Sequence, residues 1–259
     1  MDDAPRRALG PLSDWTVPQA WFAHFYALGA AWNAVVAWAL LRSGYLASLP
    51  APTAASAALA LALLQLHLTR RLVETVGLLH YPPGSRMHGI AYLFGMSYYF
   101  LVSLSVLPDS AYPALAQLLG DPGALLSGGR PAPPAARWVL AHVTSLQLAG
   151  AALFLAGNAL QCHSHWLLAR LARRGRKGGY KIPRGGAFEL VSCPHYLGEV
   201  VIYAGLALVA GGGRRVTAWL MLLWVLTNLS LAAGMTHQWY QQHFKTYPRR
   251  RAALLPWIY

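Results

Sequence analysis

His67-Leu-Thr-Arg70-Arg71-Leu-Val-Glu74 puts an imidazole, two guanidiniums and a carboxylate at spacings of three, four and seven. On a helix those positions share one face. Arg71 and Glu74 can pair across one turn, which lowers the cost of burying them. An ionisable set inside an apolar segment is a candidate for function because hydrocarbon disfavours charge. The plainer reading is a helix end whose arginines reach the headgroups while Glu74 neutralises them. A second set lies in Tyr180–Glu199, the longest run that is neither apolar nor low-complexity. It carries Lys181, Arg184, Glu189, His195 and Glu199, with a turn at Gly185-Gly186 and an interruption at Ser192-Cys193-Pro194. Glu199 heads the next apolar segment, where a lipid-facing helix has no use for a carboxylate. A third set is the tail, with His237 and Tyr240 three apart, then Lys245 and Arg249-Arg250-Arg251. Its plainer reading is an aromatic belt with basic anchors.

Seven Lys/Arg fall within the 15 positions from Arg170 to Arg184, downstream of His163 and His165. Such a cluster suits phosphate groups, anionic lipid headgroups or simple topology, and the residues alone leave these open. His163 and His165 are two apart, which is not a helical metal pair, so no metal site is read. No dinucleotide G-x-G-x-x-G, phosphate-binding loop, G-x-S-x-G or H-E-x-x-H motif is present.

The elements that must position these sets are membrane-length. Of 259 residues, 56% are hydrophobic and 11% charged, against about 25% charged in soluble domains. The net charge of +13 points to topology and an anionic ligand or lipid, not to nucleic acid. Spans of roughly 20 apolar residues are expected at 20–41, 55–80, 88–107, 136–160, 197–211 and 216–235. Residues 1–19 read as a polar leader and a poor signal peptide, and 20–259 as one membrane domain. The fold expected is all-α, a polytopic bundle of about six spans. Residues 42–54 read as a linker, 108–135 as a proline-rich loop with room for one short helix, 161–196 as a basic loop and 236–259 as a basic tail. With a cytosolic N-terminus, 14 of the 21 Lys/Arg lie on the cytosolic side and five opposite, which favours both termini in the cytosol. Cys162 and Cys193 read as free, reduced thiols.

Tyr180-Lys-Ile-Pro-Arg-Gly-Gly-Ala-Phe through Tyr196-Leu-Gly-Glu199, with the tail His237-Gln-Trp-Tyr240 through Tyr247-Pro248, Arg251 and Leu255-Pro256-Trp257-Ile258-Tyr259, resembles the steroid 5-alpha-reductase family of membrane reductases. The resemblance runs from about residue 18 to Tyr259. Ser192-Cys193-Pro194-His195-Tyr196, His24-Phe25-Tyr26 and Arg70-Arg71-Leu72 with Glu74 are similar to its polyprenal reductase branch. The resemblance implies an endoplasmic reticulum enzyme that uses NADPH to reduce the alpha-isoprene unit of a long polyprenyl lipid, in dolichol synthesis for protein N-glycosylation. It sets a cytosol-facing cofactor against Gln161, His165, Tyr180, Lys181, His195, Glu199, Tyr240 and Arg251, all in the C-terminal half, 136–259. It makes His237 an active-site residue, with Glu74 and Arg71 as further catalytic candidates. Steroid and enoyl-CoA reductases of the family have His-Tyr where this chain has His67-Leu68, and their first-half Glu has no match, so their active-site pair is absent here. The family also leads one to expect a further N-terminal span that the sequence does not show. Reduction of a conjugated double bond needs hydride at the beta carbon and a donor for the developing enolate. Alternatives are a 3-oxo-5-alpha-steroid 4-dehydrogenase, an enoyl-CoA reductase, an isoprenylcysteine-type methyltransferase and a non-catalytic lipid-binding scaffold.

Overall fold

The computed structural model describes residues 14–82, 84–121, 123, 135–175, 180–212 and 215–259. Among these the chain is almost wholly helical. The leader to residue 13, residues 124–134, the basic run 176–179 and Arg214 lie outside the described residues. A strand β1 (Thr16–Pro18) and a single 3-10 turn lead into α1 (Phe22–Arg42). Gly44, at φ 69°, turns the chain into α2 (Tyr45–Ser48). Then follow α3 (Ala51–Gly77), β2 (Arg86–His88), α4 (Gly89–Ser105) and α5 (Ala111–Gly120). After these come α6 (Ala136–His142), α7 (Ser145–Gly175), α8 (Pro194–Val209) and α9 (Val216–His243). Proline sits in the first turn of both α3 and α8, where its missing N–H costs nothing.

The six apolar segments of the sequence are all helices, but they are not six equal spans. The segments α1 with its leading turn, α3 and α9 are long and apolar enough to cross a membrane. The helices α6 and α7 make a fourth only if taken together, across a bend of 120°. The helices α4 and α8, with 17 and 16 residues, reach only about 25 Å against a hydrocarbon core of about 30 Å.

Three boundaries differ from expectation. Residues 161–175 continue α7 instead of opening a loop, because Leu160, Ser164, Leu168 and Leu171 keep a helical stripe while Gln161 and His165 between them are buried against polar side chains of α3 and α8. The tail likewise begins as helix, with α9 running to His243. Strand β1 belongs to the fold instead of a loose leader, pairing antiparallel with β2 in the register Thr16↔His88, Val17↔Met87 and Pro18↔Arg86.

Contacts between helix termini mark two ends of the bundle. At one end Ser56 Oγ donates to the Val209 carbonyl at 2.7 Å and Thr217 Oγ1 to the Ser105 carbonyl at 2.8 Å. At the other, Val191 bridges Ala252, and the Ser192 amide donates to the Ala252 carbonyl at 2.8 Å. The core joins α1, α3 and α4 through Phe25, Leu64, Leu68, Tyr99 and Val102, and reaches α7 and α8 through Phe154, Ile202 and Leu206. Large apolar side chains such as Trp38, Val76, Phe94, Leu155, Leu223 and Met235 face outward, as a lipid-facing surface requires.

The tightest helix pair is α7 with α8. Gly150 and Gly157 meet Gly205 and Gly198 across it. A Cβ on Gly205 would stand 2.6 Å from the Gly150 carbonyl oxygen, and one on Gly157 2.8 Å from that of Gly198. Small residues let membrane helices touch backbone to backbone. This approach brings Gln161 against the first turn of α8.

Candidate functional site

Four elements converge on one buried polar cluster. Helix α3 supplies His67, Arg70, Arg71 and Glu74; α7 supplies Asn158, Gln161 and His165; α8 supplies His195 and Glu199; α1 supplies Tyr26. Glu74 is the hub. Its Oε1 accepts from Arg70 Nη1 at 2.6 Å and its Oε2 from Arg71 Nη1 at 2.8 Å. His165 Nδ1 lies 2.8 Å from both Glu74 Oε2 and Arg71 Nη1, so it serves one of them at a time, as donor or as acceptor. Arg70 Nε donates to Asn158 Oδ1 at 2.9 Å, and its Nη2 donates to Gln161. Gln161 Nε2 donates in turn to Glu199 and to the His195 carbonyl. Arg71 donates through Nη2 to the Tyr26 hydroxyl at 2.6 Å.

Two guanidiniums therefore balance two carboxylates. Burial of such charge is tolerable only when the pairs are complete and hydrogen-bonded. The pairing of Arg71 with Glu74 follows the i, i+3 spacing of the sequence, and Arg70 adds the i, i+4 pair. Some donors stay unspent. His67 Nε2 lies 3.3 Å from Glu199 Oε1, in ion-pair range but without an aligned hydrogen bond. His195 Nδ1 is buried with no hydrogen-bond partner among the described residues, and its ring stands 5.7 Å from that of His165.

A second group forms around the tail. Ser192 Oγ lies 2.6 Å from His237 Nδ1 and 2.5 Å from the Tyr247 hydroxyl. Gln241 Nε2 lies 2.7 Å from His237 Nε2. Tyr240 stacks on Tyr247 with ring centroids 5.3 Å apart. Arg251 is buried, stands 5.2 Å over the Tyr247 ring and donates to the Pro183 carbonyl at 3.1 Å. Its Nε and Nη2 have no hydrogen-bond partner among the described residues, although Nη2 is 3.5 Å from Glu189 Oε2. A cavity of about 370 Å³ opens here beside His237, Arg250, Arg251, Trp257 and Tyr259. A larger recess of about 570 Å³ is lined by Leu41, Leu46, Leu49 and Trp138, away from both groups.

The loop before α8 ties these groups to α7. Gly185 and Gly186 take φ of 92° and 53°, and a Cβ on Gly186 would meet the His163 ring at 2.6 Å. The Gly185 amide donates to Glu189 at 2.7 Å. That bond, with Arg251 and Arg184 nearby, holds the Glu189 carboxyl below its ordinary range despite slight burial. Burial pushes the Cys193 thiol up to about 12. Both cysteines are free.

Of the residues singled out in the sequence, Arg71, Glu74, Gln161, His165, His195 and Glu199 thus share one cluster. His237, Tyr240 and Arg251 share the other. Tyr180 is 71% exposed and stacks edge-on against Trp239, and Lys181 is exposed beside it. Sequence reasoning missed Asn158 as a partner of Arg70, Ser192 as the partner of His237, and Tyr26 as the partner of Arg71. Asn158 carried a readable signal, three residues before Gln161 on the same face of an apolar helix.

A profile of the family described as 3-oxo-5-alpha-steroid 4-dehydrogenase matches residues 135–259. Beyond that half, the chain is 33% identical to "Polyprenal reductase 1" of Oryza sativa subsp. indica, over 94% of this chain and 80% of that protein. It is 33% identical to "Polyprenal reductase 1" of Arabidopsis thaliana, over 94% and 82%. It is 32% identical to "Polyprenal reductase" of Homo sapiens, over 94% and 78%. Similarity of this extent, carried by a helical membrane bundle whose polar motifs converge inside it, settles the family. The chain belongs to the steroid 5-alpha-reductase family and is an oxidoreductase acting on a CH–CH group.

Proposed function

We propose that the protein is a polyprenal reductase that uses NADPH to saturate the alpha-isoprene double bond of a long polyprenyl aldehyde, in dolichol synthesis for protein N-glycosylation. It works in the endoplasmic reticulum membrane with both termini in the cytosol. One observation carries the reading: similarity to reductases of that name in plants and a vertebrate extends over 94% of the chain, well beyond the C-terminal half that the wider family shares. The oxidoreductase class leaves the methyltransferase and scaffold readings without support.

The residues fit the cofactor chemically. His195 Nδ1 and Arg251 Nε and Nη2 are buried donors or acceptors without hydrogen-bond partners among the described residues, and an orphaned buried polar atom is costly unless a ligand or water meets it. Gln161, His165, His195 and Glu199 would hold the cofactor inside the bundle, and Tyr180, Lys181, Tyr240 and Arg251 would hold it at the cytosolic mouth. NADPH supplies the hydride when bound, and the protein supplies orientation and electrostatics. Arg70 and Arg71 hold Glu74 in place, and this preorganised cluster would stabilise the oxygen that gains charge. His237, oriented by Ser192 and Gln241, stands as the active-site imidazole at the tail.

The family profile is described by a steroid activity, which keeps that substrate as the second reading. Leu68, following His67, stands where steroid and enoyl-CoA relatives carry tyrosine. Purified enzyme offered polyprenal, a 3-oxo-4-ene steroid and an enoyl-CoA with NADPH tests the choice. Preference for polyprenal is expected; exclusive turnover of either other substrate overturns it.

A further inference from the structure

The His24-Phe25-Tyr26 motif of α1 enters the buried cluster through its tyrosine. Tyr26 is buried in α1, and its hydroxyl oxygen accepts from Arg71 Nη2 at 2.6 Å and from Arg71 Nε at 3.2 Å. The guanidinium carbon lies 4.7 Å from the ring centroid. A phenol has one proton and accepts through its oxygen. Two guanidinium donors on that oxygen leave the O–H of Tyr26 to be given, at rest to the neighbouring Tyr99 hydroxyl and in turnover to a substrate oxygen. The same Arg71 holds Glu74 and His165, so the hydroxyl belongs to the buried cluster.

We propose that Tyr26 is the proton donor of the reaction, with Arg71 stabilising the phenolate that donation leaves. This rests on the reading of the substrate as an α,β-unsaturated aldehyde and of reduced nicotinamide as the reductant. Hydride addition at the beta carbon moves the π pair toward the alpha carbon and the aldehyde oxygen. The Tyr26 O–H bond breaks, its proton goes to that oxygen, and its electron pair stays on the phenol oxygen beside Arg71. The resulting enol tautomerises, its alpha carbon gaining a proton as the oxygen loses one, to the saturated aldehyde. A solvent proton restores Tyr26.

The rival is Tyr203. It is buried beside Tyr98, and its ring lies 6.2 Å from that of His67. It stands one helical turn from Glu199, however, and a carboxylate opposes a phenolate where a guanidinium supports one. Around Tyr26 stand Arg71 from α3, Tyr81 beyond it, Tyr99 from α4, and Tyr196 and Tyr203 from α8, with Glu74 and His165 across Arg71. None of these places a negative charge directly on the hydroxyl.

The test replaces Tyr26 by phenylalanine (Tyr26→Phe) and, to keep the hydroxyl and the packing, by 3,5-difluorotyrosine, a more acidic phenol of nearly the same size. Tyr26→Phe should lower saturation of polyprenal by about 10²–10⁴-fold, the range of a lost general acid. Difluorotyrosine at 26 should move the alkaline limb of kcat to lower pH, and the same replacement of Tyr203 should leave it in place. A readout without turnover is the carbonyl stretch of a short polyprenal bound with oxidised NADP. It should be lowered in the wild type and return toward the free value in Tyr26→Phe. Saturation by Tyr26→Phe within threefold of wild type, an unchanged carbonyl stretch, or an alkaline limb that moves only with Tyr203 overturns the assignment. A wild type that saturates a steroid enone but not polyprenal overturns the substrate reading instead, and the same comparison at Tyr26 is then scored on the enone.

Discussion

Gly157 of α7 and Gly198 of α8 lie so close that a Cβ on the first would stand 2.8 Å from the carbonyl oxygen of the second. Four residues beyond Gly157, Gln161 reaches Glu199, one residue beyond Gly198. The approach of the two helices and the joining of the two polar side chains are therefore one arrangement. Gly157→Val should cost about 1–3 kcal/mol through overpacking and should weaken NADPH binding with it. Thermal unfolding in detergent, alongside nicotinamide fluorescence, checks both; a variant with wild-type midpoint and affinity would show that the contact is slack.

Glu74 accepts from Arg70, Arg71 and, in one arrangement of its ring, His165. Glu74→Ala removes the one carboxylate to which Arg70 and Arg71 both donate. Removal of one partner of a buried pair costs about 3–5 kcal/mol. The unfolding midpoint in detergent should fall steeply, and Glu74→Gln, which keeps the shape and an acceptor, should fall less.

Ser192 holds His237 Nδ1 at 2.6 Å, so Ser192→Ala should leave the imidazole in place but held by Gln241 alone of the two. A hydrogen bond is worth about 1 kcal/mol net, so turnover should drop roughly fivefold while the KM for polyprenal stays near wild type. A rise in KM with unchanged kcat would assign Ser192 to substrate binding instead.

Glu189 gives a pH dependence outside the membrane. The Gly185 amide and two arginines depress its folded pKa. Its stabilising contribution is then present above the unfolded carboxylate pKa and lost as pH falls through the lower folded value. Wild type should lose stability across that acid window more than Glu189→Gln. The carboxylate is nearly half exposed, so the difference should be small and should shrink in high salt. Parallel acid unfolding curves would show that the loop gains nothing from this charge.

Much of this was legible in the residues. The apolar runs gave the helices, and the i, i+3 and i+4 spacing in His67–Glu74 gave the paired charges. The end of α7 was not legible, because Gln161 and His165 look like loop residues until Arg70 and Glu74 arrive from another helix to meet them. The bond from Arg71 to Tyr26 spans 45 positions, and no local period encodes it. The seven-residue spacings Gly150–Gly157 and Gly198–Gly205 were in plain view, and they are what sets α7 against α8.

The central claim is tested most directly in membranes containing the protein, given a polyprenal with NADPH or with no cofactor, the alpha-saturated product being read by mass. The account predicts saturation only with NADPH, and its loss in His237→Ala. No saturation of polyprenal under either condition, with turnover of a steroid enone or an enoyl-CoA, would contradict it.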